Sequence, residues 1–209
     1  MQSPWRKTGE AISRSSGKGL QSPSPYSVGT ANGTLALPKA APAGNELANH
    51  RHNIQFAAIM RAIIQRVLES SVKIEGQVVS KIGPGLLVLL GIEEGDAADD
   101  IAWLSGKIAR MRIFGDAEGK MNLSITELGG EIIVVSQFTL HASTKKGNRP
   151  SFLRAAPPAV SEPLYHEFCS AMEGEIGIPV GRGIFGADMK VSLVNDGPVT
   201  LLIDSRARE

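Results

Sequence analysis

Apolar and polar residues fall into regular periods only from Met60 onward. Ala62-Ile63-Ile64-Gln65-Arg66-Val67 reads as a strand. Ser71-Val72-Lys73-Ile74 and Gln77-Val78-Val79-Ser80-Lys81-Ile82 alternate on either side of Glu75-Gly76, the pattern of a hairpin. Gly85-Leu86-Leu87-Val88-Leu89-Leu90-Gly91 is apolar without a break and bounded by glycines, which predicts a buried strand. The period then changes. Ile101, Leu104, Ile108 and Met111 recur at spacings of three, four and three, so a helix carries them on one face. Asp96, Asp99 and Asp100 stand at its start and Lys107, Arg110 and Arg112 at its end, which suits the helix dipole. Glu131-Ile132-Ile133-Val134-Val135 is a further buried strand that runs into Ser136-Gln137-Phe138-Thr139. A second helix is predicted over Ser161–Glu173, with Ser161 as its cap, Pro163 in its first turn and Leu164, Phe168 and Met172 on its apolar face. Strands at Ile178–Arg182, Lys190–Val194 and Val199–Asp204 complete the pattern, the last two joined by a turn at Asn195-Asp196-Gly197-Pro198. The expectation is an α/β fold, a mixed sheet with two main helices. It is not a doubly wound one, because helices do not alternate with every strand.

Residues 1–59 lack this periodicity and are rich in Ser, Gly and Pro, as in Ser22-Pro23-Ser24-Pro25 and Ala40-Ala41-Pro42-Ala43. Such a segment buries too little surface to offset its ordering entropy, so a disordered extension over 1–59 and a folded domain over 60–209 are expected. The extension holds six Lys/Arg and two Asp/Glu, whereas residues 60–209 hold 16 and 19. Its basic, serine-rich, acid-poor character is that of an organellar transit peptide; the plainer reading, and the one expected, is an over-extended start ahead of Met60. The folded part is mildly acidic, so any RNA contact is expected to be local, at the end the protein works on.

Common chemistries find no support. Gly83-Pro84-Gly85 and Gly181-Arg182-Gly183 match neither a phosphate loop nor a dinucleotide fingerprint and read as turns. The single cysteine, Cys169, rules out an intrachain disulfide and sits beside Phe168 on a helix face, a packing position. His50 and His52 lie in the extension, and His141 and His166 have no metal-ligand spacing, so no metal and no cofactor is expected. His166 is expected at the surface. No G-x-S-x-G nucleophile elbow is present. No stretch approaches the ~18 apolar residues of a membrane span.

Two segments carry chemistry. Ser136-Gln137-Phe138-Thr139-Leu140 follows a buried strand, where groups are held rigidly at a sheet end. The loop after it, His141 to Phe152, is polar and carries Lys145, Lys146 and Arg149, either a solvated loop or a clamp for phosphate and ribose. Asn195-Asp196-Gly197-Pro198-Val199-Thr200, taken alone, is an ordinary turn.

Together these segments resemble the D-aminoacyl-tRNA deacylases, which have S-Q-F-T-L followed later by N-x-G-P-x-T. Ile64-Gln65-Arg66-Val67, Met111-Arg112-Ile113-Phe114, Gly119-Lys120-Met121-Asn122, Arg149-Pro150-Ser151-Phe152 and Phe185-Gly186-Ala187-Asp188-Met189 also look like the family. The likeness spans residues 60 to about 204 and fits the bacterial-type branch better than the animal one. The extension has no counterpart.

The resemblance implies an esterase that frees tRNA from D-amino acids and spares L-aminoacyl-tRNA. It implies a homodimer in which a cis Gly197-Pro198 enters the partner's active site as a chirality filter, with Ser136 and Thr200 as further substrate-binding residues. Rigid backbone oxygens there crowd the position an L side chain needs. Glycine has no side chain to exclude, so glycyl-tRNA is an expected substrate. Gln137, Phe138 and Thr139 are the implied catalytic residues. Two mechanisms stand: Thr139 as nucleophile, or water activated by the neighbouring RNA hydroxyl, with backbone N–H groups of Gln137, Phe138 and Thr139 binding the oxyanion. The partner is the acceptor end of aminoacyl-tRNA, with Lys145, Lys146 and Arg149 as contacts; no DNA and no membrane is implied. The expected location is the cytoplasm, or an organelle if the extension is a transit peptide. A non-catalytic module that holds the same RNA end is the alternative.

Overall fold

The computed structural model describes residues 60–208, so the expectations for the extension lie outside the described residues. The first strand, β1 (Arg61–Ile74), runs unbroken where the pattern suggested two strands separated by Leu68-Glu69-Ser70. It turns at Glu75-Gly76, both at positive φ (50° and 81°), into β2 (Gln77–Ile82). Next comes β3 (Gly85–Gly91), which pairs antiparallel with the first half of β1 while β2 pairs with the second half.

A crossover follows, carrying α1 (Ala98–Arg110), the hairpin β4 (Phe114–Gly115) and β5 (Met121–Leu123), and the short α2 (Ile125–Leu128). It leads to β6 (Glu131–Ser136), parallel to β3, as a helix-bearing crossover allows. A 3-10 turn (Phe138–His141), a long loop and α3 (Pro158–Ile176) lead to β7 (Gly181–Arg182), again parallel to β6. The final strand, β8 (Lys190–Asp204), lies antiparallel along the free side of β1. The sheet order is β2-β1-β3-β6-β7 with β8 on β1. This is the expected mixed α/β architecture.

Alternation explains the two uninterrupted apolar runs. Leu86, Val88 and Leu90 of β3, with Ile132 and Val134 of β6, face the helices and pack with Leu104, Ile108, Phe168 and Met172. Leu87 of β3, with Ile133 and Val135 of β6, faces the other way and packs with Val67, Val72 and Ile82. A strand buried on both faces has no polar side to show. Each such side chain contributes ~1.5–3 kcal/mol through burial. The sheet curls until β2 meets β7, and a Cβ on Gly181 would stand 2.3 Å from Ser80 Oγ. Gly181-Arg182 is therefore strand, not turn; the glycine makes room for the closure. Likewise a Cβ on Gly85 would fall 1.9 Å from Glu131 O, so only glycine lets β3 start beside β6.

Helix α3 begins at Pro158, three residues before the predicted cap, because Pro157 and Pro158 fit an end whose N–H groups need no intrahelical partner. Ser161 lies inside the first turns, its Oγ donating to Ala156 O and Pro157 O at 3.3 and 3.1 Å. Cys169 is buried and His166 exposed, as expected. The larger difference is in β8. No turn breaks it at Asn195–Pro198. Gln65 pairs with Thr200 and Val67 with Asn195, so the intervening residues of β8 bulge out from the ladder. A bulge is where a strand tolerates proline, which has no N–H for the ladder.

Candidate functional site

A pocket of about 610 Å³ opens at the carboxyl ends of the parallel strands β3 and β6, the usual position for a ligand crevice in such sheets. Leu90 and Ile92 leave β3 into it; Val135 and Ser136 leave β6. Phe152 and Ala155–Pro158, on the way into α3, form a second wall. Phe185–Met189, before β8, form a third. Three family-like segments far apart in sequence, Ser136–Leu140, Arg149–Phe152 and Phe185–Met189, thus meet at one cavity. At its mouth Phe138, 56% exposed, meets Phe152 edge to face with ring centroids 5.2 Å apart.

The walls are mostly apolar, so main-chain groups matter. Gln137 N–H donates to Leu90 O at 2.6 Å, which ties the 3-10 turn to β3 and removes that N–H from the expected set of donors. Phe138 and Thr139 open the turn, where N–H groups have no intrahelical partner. Among the described residues neither N–H has an acceptor. Gln137 Nε2 donates to Thr139 Oγ1, and among the described residues no carboxylate or imidazole bonds that hydroxyl. Thr139 is not among the residues lining the cavity.

The turn ends on His141, which is buried rather than part of a polar loop. Burial pushes its pKa down, opposed by the nearby Gly91 backbone and the Glu93 charge. Beside it lies a set of buried acids. Glu93 is held by the Arg154 fork at 2.6 and 2.8 Å. Asp96 accepts Glu93 N–H at 2.8 Å through Oδ2, while its buried Oδ1 has no partner. Burial pushes the Asp96 carboxyl up to about 7. Asp100 is also desolvated, but the Arg206 fork, Ser205 Oγ and Ala97 N–H outweigh this and hold it below the usual range.

The second predicted segment stands apart. Gly197 and Pro198 are exposed on the β8 bulge, joined by a cis peptide bond, and neither they nor Thr200 line the pocket of their own chain. Two adjacent β1 residues brace the bulge. Gln65 Nε2 donates to Asn195 Oδ1 at 2.5 Å and Val199 O at 3.3 Å, and its Oε1 accepts from Thr200 Oγ1 at 2.8 Å. Arg66 Nε donates to Asp196 O at 3.2 Å and lies 2.9 Å from the Asp196 carboxylate, while Arg66 Nη1 reaches Ile113 O. Lys145, Lys146 and Arg149 are exposed in a loop closed by reciprocal Ser143–Ser151 backbone bonds of 2.8 and 2.9 Å, outside the pocket wall. Among the described residues no group of three or more His, Cys, Asp or Glu is placed to hold a metal ion.

Sequence reasoning did not find the Glu93–Arg154 pair, because Glu93-Glu94-Gly95-Asp96 has the composition of a surface loop. Gln65 and Arg66 were visible within a family-like stretch but carried no role.

A family model described as D-Tyr-tRNA(Tyr) deacylase matches residues 63–204. The chain belongs to the D-aminoacyl-tRNA deacylase family. A D-aminoacyl-tRNA deacylase of Parabacteroides distasonis is 59% identical over 150 residues, covering 72% of this chain and 100% of that one. The one of Akkermansia muciniphila is 58% identical over 154 residues, with the same coverage. A solved structure titled "c-Myc DNA Unwinding Element Binding Protein" superposes with a TM-score of 0.66 at 38% identity, covering 70% of this chain and 99% of that chain. Another, titled as a probable eukaryotic D-amino acid tRNA deacylase, shares the fold at 20% identity and a TM-score of 0.61, with the same coverage. The deacylase family match therefore spans all three walls of the pocket and the β8 bulge.

Proposed function

We infer that this pocket is where the chain carries out the reaction of its family: it hydrolyses the ester of D-aminoacyl-tRNA and releases free tRNA and the D-amino acid. The observation that carries the mechanism is the pair of unpaired N–H groups that open the 3-10 turn, that of Phe138, which lines the cavity, and that of Thr139, the residue after it. Two donors fixed beforehand stabilise a developing oxyanion without reorganising during reaction. The neighbouring hydroxyl of the terminal ribose helps activate the attacking water. Thr139 acts through its main chain: its hydroxyl is engaged by Gln137 and has no base to take its proton. Gln137 orients that hydroxyl, and Ser136 contacts substrate from the wall. Phe138 and Phe152 bound the mouth.

Gly197 and Pro198 serve the pocket of a second copy. Their position outside their own pocket supports this, as does β8, an edge strand with Leu202 at 67% exposure and Leu193 and Val194 also exposed. Such an edge calls for cover. In the dimer the Gly197-Pro198 backbone crowds the L side-chain position, so glycyl-tRNA is hydrolysed along with D-aminoacyl-tRNA. Thr200, bonded to Gln65, steadies that backbone. Lys145, Lys146 and Arg149 contact acceptor-end phosphates. Among the described residues no helix is long and apolar enough to cross a membrane; a cytoplasmic site of action fits the substrate.

Paired D-tyrosyl-, L-tyrosyl- and glycyl-tRNA substrates test this in single turnover. Hydrolysis of the first and third only is expected; binding with no hydrolysis above background would leave a module that merely holds the RNA end. Thr139→Ala is expected to slow D-tyrosyl-tRNA hydrolysis less than ~10-fold, since one lost side-chain hydrogen bond is worth ~0.5–1.5 kcal/mol. A loss of several orders of magnitude with the fold intact would make Thr139 the nucleophile.

A further inference from the structure

Two parts of the site belong to segments that no strand joins. One is the 3-10 turn that carries the Phe138 and Thr139 amides. The other is the loop that carries Phe152. Both are fastened to the same place, the exit of β3. Glu93 there is 5% exposed and forms an antiparallel bridge with Ala155, and Ala156 N–H donates to Ile92 O at 2.9 Å. Its carboxylate takes both arms of Arg154, two residues beyond Phe152, through Nε at 2.6 Å and Nη2 at 2.8 Å. Oε2 of the same carboxylate lies 3.8 Å from His141 Nδ1, at the end of the turn. His141 is sealed from solvent, and neither of its nitrogens has a hydrogen-bond partner among the described residues. The turn itself leans on Gly91, where a Cβ would stand 2.9 Å from Leu140 Cβ and 3.1 Å from Gln137 O.

A buried carboxylate is costly unless paired in good geometry. Here the pair is bidentate, which fixes direction as well as distance. Nothing in the mechanism above uses it, and neither residue lines the cavity.

We propose that Glu93 is a positioning residue for ester hydrolysis, which through Arg154 and His141 sets the spacing between the Phe152 wall and the Phe138–Thr139 amides. The proposal rests on the deacylase reading of the pocket. It assigns Glu93 no contact with substrate. A small misplacement of a preorganised site costs up to ~10²-fold in rate even when the change is remote.

The test uses the full chain with Glu93→Gln, Arg154→Met, the double variant and Arg154→Lys. Each single variant is expected to lower single-turnover kcat on D-tyrosyl-tRNA about tenfold with KM within about twofold. The double variant is expected to match either single one, because the two residues act as one joint. Arg154→Lys is expected to rescue little, since an ammonium cannot fill both carboxylate oxygens in the plane of the fork; it also carries the test if Glu93→Gln fails to fold. Amide NMR gives a readout independent of activity: Phe138 and Thr139 resonances shift in all four variants while Glu75 and Gly76 stay. Multiplicative losses, a lower melting temperature with unchanged kcat, full activity in Arg154→Lys, or unmoved Phe138 and Thr139 amides would each overturn the proposal. Wild-type protein that hydrolyses no D-aminoacyl-tRNA would instead overturn the deacylase reading, which the amide shifts do not depend on.

Discussion

The pocket and the Gly197-Pro198 bulge are built by opposite means. The pocket sits at the end of two strands buried on both faces, and its polar equipment is main chain. Behind it stand buried charges, Glu93, Asp96 and Asp100, each at most 7% exposed. The bulge stands on an edge strand, exposed, and side chains from one neighbouring strand hold it. A group that must stabilise charge developing in the substrate gains from rigidity and low dielectric. A group that must enter another molecule's cavity has to protrude. On the proposed reading the fold gives each job the appropriate depth, and the two ends should fail in different ways.

The largest effect is expected at the main-chain donors. Phe138→Pro deletes one N–H, and a proline is tolerated at the first position of a helical turn. Gln137 (φ −141°, ψ 78°) already lies outside the α region that a following proline disfavours. Loss of one oxyanion donor costs ~10²–10³ in rate. Phe138→Ala is the control that removes the ring and keeps the N–H. If the two variants are equally slow, the ring matters and the donor does not.

The next effect concerns the charges behind the pocket. Asp96 is raised from an ordinary 3.8 to about 7 by burial. Between those values the folded chain holds a proton that the unfolded chain has lost, so stability falls as pH rises through that window and stays at the lower level above it. At ~1.4 kcal/mol per pKa unit the loss is on the order of 4 kcal/mol. Urea unfolding at pH 5 and pH 8 reads the part that falls between those values, about 3 kcal/mol. Asp96→Asn is expected to flatten the slope; an unchanged slope would place the titrating group elsewhere. The bulge has no such buried acid, so D-versus-L discrimination is expected to be flat across the same range while stability changes.

Much of this division was legible in the sequence, for identifiable reasons. Leu86–Leu90 and Ile132–Val135 could be read as buried strands because apolar runs bounded by glycine or polar residues have few other uses. The α1 face followed from its spacing. The two candidate segments were found by resemblance and fall at the pocket and on the bulge. Missed were features that depend on what faces what. Asn195–Pro198 has turn composition, and only β1 lying alongside makes it a bulge in a continuous strand. His141 stands in a polar stretch yet is sealed, because the 3-10 turn rotates it beneath Gly91. The Glu93–Arg154 pair spans 61 residues, and no local pattern announces a partner at that distance.

The smallest effect should be the most diagnostic, because it separates protrusion from bracing at the bulge. A Cβ on Gly197 would lie 2.6 Å from Val199 N and 3.0 Å from Val199 Cγ2, so Gly197→Ala must push the dipeptide out of place. Gln65→Ala leaves Gly197 and Pro198 chemically intact and removes three side-chain bonds, to Asn195, Val199 and Thr200. Exposed bonds of this kind are each worth ~0.5–1.5 kcal/mol at most. The D-to-L rate ratio is therefore expected to fall about tenfold in Gln65→Ala, or ~1.4 kcal/mol, and further in Gly197→Ala, with glycyl-tRNA hydrolysis little changed in Gln65→Ala. Glycine is the internal standard: on the proposed reading it does not meet the filter, so its rate reports the pocket alone. A parallel fall in glycyl-tRNA hydrolysis would mean that Gln65 supports the ester site as well, and the two regions would no longer be separable. A ratio unmoved in both variants would remove chirality from the bulge and return it to the pocket walls.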